Sequence, residues 1–216
     1  MKIPRVFISM GTPYTEAQTR FRAVLESLLR TQCGVDPRII GVNEYPPGSP
    51  VHKIRDAMST CDGVLVVAYE RKYVQRGIER RGSPRERKFV DEKYTTAWNH
   101  IESAIAFSKE IPLYILCETG VIEEVLIESK VDWFVKRVDF VPEVLVKPEV
   151  LESIRAWINE RVMPHARKPT GAFPALARLK FSELTSHDLY VLYALLGAVF
   201  AAGTVAGAFL RQLIHH

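Results

Sequence analysis

Residues 63–69, Gly-Val-Leu-Val-Val-Ala-Tyr, are apolar from end to end, with no polar residue at alternate places. A strand with one wet face alternates. An unbroken run this rich in valine fits a strand buried on both faces, inside a parallel sheet. Such a sheet needs helices over both its faces, so helical segments are expected on either side of this run.

The chain has that rhythm. Arg5–Met10 (RVFISM) is a short apolar run ended by Gly-Thr-Pro-Tyr and reads as a first strand. Thr15 then precedes a stretch in which Phe21, Val24, Leu25, Leu28 and Leu29 recur at helical spacing, with Gln18 three residues after this N-cap. A second strand is expected over 38–42, a short helix over 51–58, a helix over 95–107 and a strand over 113–117. Helices over 121–129 and 150–162 follow, with WFVKRVDF as an edge strand between them. Residues 70–93, dense in Lys, Arg, Glu and Gly, read as a loop. It is either solvated and mobile, a lid over an anionic nucleotide, or a contact for acidic lipid headgroups. The expected fold class is α/β, a flavodoxin-like parallel sheet flanked by helices over residues 1–162.

Residues 163–186, with Arg167, Lys168, Pro169 and Gly171, read as a linker to a different kind of segment. From 189 to 210 the chain carries 22 residues without a charge. As a helix these span roughly 33 Å, enough for a hydrocarbon core. The alternative, a buried helix of a soluble protein, seldom runs so long without a polar residue. A transmembrane helix is therefore expected over 187–212. Arg178 and Lys180 upstream, against Arg211 downstream, keep the amino-terminal domain in the cytoplasm as a single-pass membrane protein. Ala194, Ala198, Ala202 and Ala206, with Gly203 and Gly207, give a small-residue face suited to self-association.

Net charge is +4, a mild excess, and the basic segment lacks interleaved aromatics beyond Tyr73 and Phe89, so nucleic acid is not expected as a partner. Cys33, Cys61 and Cys117 lie far apart with no metal-ligand spacing. They read as structural thiols of a reducing compartment, with no metal expected. The amino terminus is apolar for too few residues before Gly11 to make a signal peptide.

In open sheets of this kind ligands gather at the carboxyl ends of the strands. Ser9, Gly11, Thr12 and Tyr14 fall at the end of the first strand, and Pro47 and Gly48 after the second. The helix over 95–107 brings Trp98, Asn99 and Glu102. Its Trp98, Ile101, Ala104 and Ile105 form a stripe expected to face the core, with Glu102 at its border. Glu102 is either a solvated carboxylate paired with Lys109 or a neighbour, or a carboxyl whose apolar border raises its pKa for chemistry. Trp98 is either core or a surface on which a base stacks.

"VFIS" resembles the first strand of TIR domains. "PPGSPVHKIRDAMSTCDGVLVVAYERKY" is similar to their Pro-Gly loop, short helix and apolar strand, in the same order, and "WNHIE" to their Trp-x-x-x-Glu. The same outline resembles nucleoside 2-deoxyribosyltransferases, whose glutamate attacks a sugar C1′. The resemblance covers roughly residues 5–160. It implies that Glu102 is catalytic in a membrane-anchored NAD+ glycohydrolase, releasing nicotinamide when its domains cluster, in prokaryotic antiphage immunity. NAD or a related nucleotide is then substrate or ligand rather than cofactor. The bilayer and further copies of the chain are the partners, the copies joining through the TIR-like domain and the small-residue face. The alternative is a non-catalytic nucleotide sensor whose transmembrane helix is the membrane-disrupting effector.

Overall fold

The structure, a computed structural model, describes residues 3–39, 50–122, 124, 127 and 134–167. Five parallel strands form one sheet: β1 (Arg5–Met10), β2 (Asp36–Arg38), β3 (Gly63–Ala68), β6 (Leu113–Glu118) and β7 (Phe134–Val138), in the spatial order β2-β1-β3-β6-β7. The remaining two, β4 (Lys72–Glu79) and β5 (Arg87–Tyr94), pair with each other as an antiparallel hairpin inserted after β3, and Lys93 of β5 adds a single bridge to Val121. Without that insertion the order is that of flavodoxin-like doubly wound sheets.

Alternation along the central strands sorts the core into two layers. Val6, Ile8, Leu65, Val67, Tyr114 and Leu116 pack on one face of the sheet. Helix α1 (Glu16–Thr31) covers that face with Phe21, Leu25 and Leu28, and α4 (Pro148–Trp157) with Ile154 and Trp157. Phe7, Val64, Val66, Ile115 and Cys117 pack on the other face, under Ile54 and Met58 of α2 (Pro50–Met58) and Ala106 of α3 (Ala97–Ser108). All six residues of β3 are buried, as the unbroken apolar run requires.

Thr15 caps α1, its Oγ1 accepting from the Gln18 amide at 3.1 Å. Gln18 returns a bond one residue earlier than a capping box would, accepting from the Tyr14 amide at 2.9 Å. The second strand enters earlier than its apolar run suggests. It pairs Asp36, Pro37 and Arg38 with Arg5, Val6 and Phe7, once Gly34, at φ +66°, has turned the chain. The edge strand at Phe134–Val138 forms as expected, parallel to β6. Helical structure continues from α4 through a π-turn at Ile158–Val162 into α5 (Met163–Ala166), reaching the stretch read as linker. Cys33, Cys61 and Cys117 form no disulfide.

Two expectations are corrected. Residues 70–93 are not a loop but chiefly the β4–β5 hairpin. Of the apolar stripe of α3 only Ile105 packs against the core. Trp98 is 42% and Ile101 37% exposed, while Asn99, Glu102, Ser103 and Ala106 are the buried residues. The polar side turns inward because it finds partners at the strand ends. Burying a polar group costs little once its hydrogen bonds are made. The strand residues expected at 40–42, most of the helix expected over 121–129, and everything from 168 on lie outside the described residues. Among the described residues no helix is long and apolar enough to cross a membrane.

Candidate functional site

The sheet's strand order reverses between β1 and β3, so the crevice outside their carboxyl ends is where side chains converge. Ser9, the penultimate residue of β1, lies opposite Val66 of β3. Asn99 of α3 donates from Nδ2 to the Ser9 carbonyl at 3.2 Å and to Ser9 Oγ at 2.8 Å. The Asn99 Oδ1 accepts from Thr95 Oγ1 at 2.7 Å, and its backbone carbonyl from Ser103 Oγ at 2.7 Å. Both Ser9 and Asn99 are buried.

Glu102 sits in the same cluster. It is 8% exposed and hydrogen-bonds Ser9, with no ion-pair partner among the described residues. Lys109, its expected partner, instead donates to Ser59 Oγ at 3.0 Å. Burial pushes the Glu102 carboxyl up to about 7, against a smaller opposing pull from the Ser9 hydrogen bond. Glu70 and Glu118, the other carboxylates at this edge, share one cation. Lys93 Nζ is 3.0 Å from Glu70 Oε2 and 3.5 Å from Glu118 Oε1. Glu102 is thus poised near neutrality and has no share in that cation.

The loop after β1 is pinned to the end of β3. Tyr69 donates its hydroxyl to the Gly11 carbonyl at 2.6 Å, and Tyr14 donates to the Glu70 carbonyl at 2.8 Å. A Cβ at Gly11 would lie 3.2 Å from both Thr96 Cγ2 and the Tyr69 hydroxyl, a closeness that glycine accommodates. Tyr14 is half exposed, with the Arg71 guanidinium 5.6 Å from its ring centre.

Of the residues singled out from the sequence, Ser9, Asn99 and Glu102 come together. Gly11 and Tyr14 join them through Tyr69 and Glu70. Thr12 is exposed. Trp98 lies on the outer side of α3, its amide donating to the Thr96 cap at 2.9 Å. Pro47 and Gly48 lie outside the described residues. Sequence reasoning missed Tyr69, Thr95 and Ser103. The hydroxyls at 95 and 103, each four residues from Asn99, were the available signal for a buried polar helix face.

Cavities at the opposite edge of the sheet lack this chemistry. One of about 700 Å³ lies beside Leu113 and Trp157, and another of about 550 Å³ beside Arg5 and Asp36. Both lie at strand amino ends, away from the topological switch point. Among the described residues no cluster of His, Cys, Asp and Glu is placed to hold a metal ion.

The fold and site together define a doubly wound α/β protein with a buried carboxyl at its switch point. No protein-family model and no curated protein matches the chain. Among solved structures it is similar to the crystal structure of a prokaryotic SEFIR domain. The identity is 15%, over 72% of this chain and 98% of that one, with a TM-score of 0.36.

Proposed function

We propose that the chain is a membrane-anchored TIR-like NAD+ glycohydrolase, activated by clustering, that serves prokaryotic antiphage immunity. One observation carries the chemistry. Glu102 is a buried carboxyl without a cation among the described residues, beside Ser9 and Asn99 at the carboxyl end of β1, and burial pushes its pKa up to about 7. In the reaction the bond between ribose C1′ and the nicotinamide nitrogen breaks. Its electron pair leaves with nicotinamide, neutralising the pyridinium. The ionised Glu102 stabilises the positive charge developing at C1′ or traps it covalently, and water completes hydrolysis to ADP-ribose. The resemblance around "WNHIE" supports Glu102 in this role, and the uncharged stretch at 189–210 supports the anchor.

The same titration favours a second reading. Near pH 7 about half the molecules hold Glu102 neutral. A neutral carboxyl donates a hydrogen bond to a ligand but does not stabilise an oxocarbenium, which suits a nucleotide sensor that binds without turnover. Nicotinamide release from NAD by the full-length chain in liposomes, beside Glu102→Ala, separates the two. Release lost in the variant supports the hydrolase. Equal release removes Glu102 from the mechanism. No release, with saturable nucleotide binding, supports the sensor.

A further inference from the structure

The β4–β5 hairpin breaks the two-residue rhythm of a strand. Its better covered positions are Val74, Gly77 and Glu79 in one strand and Phe89, Glu92, Lys93 and Tyr94 in the other. The three-residue steps from Val74 to Gly77 and from Phe89 to Glu92 lie across from each other. There Asp91 takes φ +55° and the paired register omits Gln75 and Asp91. The break gathers the hairpin's own contacts on one side. Arg87 bonds Glu79 at 2.8 Å and Glu92 at 2.6 Å, and lies 5.1 Å from the Phe89 ring centre. Phe89 in turn crosses Gly77, where a Cβ would collide with its ring.

The positions between these better covered ones are exposed. Cross-strand pairs Arg76–Val90 and Ile78–Lys88 each set a cation beside an aliphatic. Ile78 is 49% and Val90 63% exposed. The hairpin's acids are already engaged. Glu79 and Glu92 bond Arg87, Asp91 accepts from Tyr73, and Glu86 at the tip accepts from the Gly82 amide at 2.8 Å. At the tip, Arg81 and Arg85 have no acidic partner among the described residues.

We propose that this exposed face of the β4–β5 hairpin docks on the surface of an anionic phospholipid bilayer. Charge complementarity selects the occupant. Cations interleaved with β-branched aliphatics meet both the headgroup charge and the acyl boundary of such a surface. A second copy of the chain would set Arg76 and Lys88 against their own equivalents. A nucleotide under the hairpin would satisfy the cations and leave Ile78 and Val90 in water. Lys93, bonded to Glu70 and Glu118, ties the hairpin's base to the ends of β3 and β6.

The test is limited trypsin cleavage of the full-length chain mixed with vesicles of phosphatidylcholine alone or with about 30% phosphatidylserine. Flotation with both vesicle types reports the anchor of the proposed function, and cleavage within 76–88 reports the hairpin, so the two readings fail separately. Cleavage there is expected to slow roughly tenfold on the anionic vesicles only, and to recover in about 0.5 M salt. Ile78→Asn/Val90→Asn, which keeps every tryptic site, is expected to lose most of that protection. Equal cleavage on both vesicle types overturns the proposal. So does protection that follows protein density rather than lipid charge, which would mark a second copy, or protection that requires NAD, which would mark a lid.

Discussion

Asn99 holds Ser9 by two hydrogen bonds across 90 residues of chain, and Glu102, one turn further along α3, bonds the same serine. The amide therefore sets where the serine sits, and the serine helps set when the carboxyl ionises. The Ser9 carbonyl, which can only accept, fixes which way the Asn99 amide faces, and leaves Oδ1 to accept from Thr95.

Removing the serine hydroxyl moves the carboxyl in a defined direction. The Ser9 bond lowers a Glu102 pKa that burial has raised to about 7. Ser9→Ala is expected to raise it further and to carry the rising limb of nicotinamide release to higher pH. The infrared carboxyl band, followed against pH with Glu102→Gln as blank, gives the same shift independently of turnover. A titration unchanged in Ser9→Ala would remove the serine from the control of Glu102.

Glu102 also makes stability depend on pH. Its folded pKa of about 7 lies above its ordinary value of 4.5, so between these limits the folded state holds a proton that the unfolded state has lost. Stability is then fully present below about 4.5 and falls as pH rises to about 7. The loss at alkaline pH is on the order of 2–3 kcal/mol. Glu102→Gln is expected to recover much of this at pH near 8 and to flatten this part of the profile. Urea midpoints of both proteins across that range check it. Parallel profiles would mean that the carboxyl is ionised in the fold at little cost.

The sheet was legible from residues because a strand buried on both faces leaves the same apolar run whatever packs on it. Arg5–Met10, the run at 63–69 and the run ending at Cys117 are of that kind. Helix α3 was located correctly but misfaced. Its inward side is chosen by Ser9 and Thr95, and hydrogen-bond partners distant in sequence do not register in a hydrophobic pattern. The hairpin was hidden for a related reason. The break at Gln75 and Asp91 destroys strand periodicity, and its exposed side is as charged as a loop. What made Glu102 conspicuous, a carboxylate beside a tryptophan, turned out to be the border of an outward stripe. Its burial comes from the polar side of the helix.

The amino end of β3 is closely covered by the helical segment above it. A Cβ at Gly63 would stand 2.7 Å from Val162 Cγ2 and 3.2 Å from Trp157, both fully buried. Gly63→Ala is expected to cost about 1–3 kcal/mol by overpacking. Val162→Ala on the same background should return part of it by vacating the contact. Thermal or urea denaturation of the two variants checks the coupling. Additive losses would show that the helix shifts aside freely.

Tyr69 ties the site's first loop to the end of β3 through one bond, its hydroxyl to the Gly11 carbonyl at 2.6 Å. Burial raises the phenol to about 12, so it stays a neutral donor throughout the working range and its effect should not vary with pH. Tyr69→Phe keeps the ring against Phe140, 5.0 Å away between centres, and removes only the donor. The expected cost is about 1 kcal/mol, or roughly 3 °C in Tm. The loosening should be confined to residues 11–14, whose amides exchange faster while those of α4 do not. Because this loop is where the proposed function places the nucleotide, KM for NAD should rise with kcat held. Faster exchange without a change in KM would separate the loop from the binding site, and an unchanged Tm would show that water replaces the phenol at no cost.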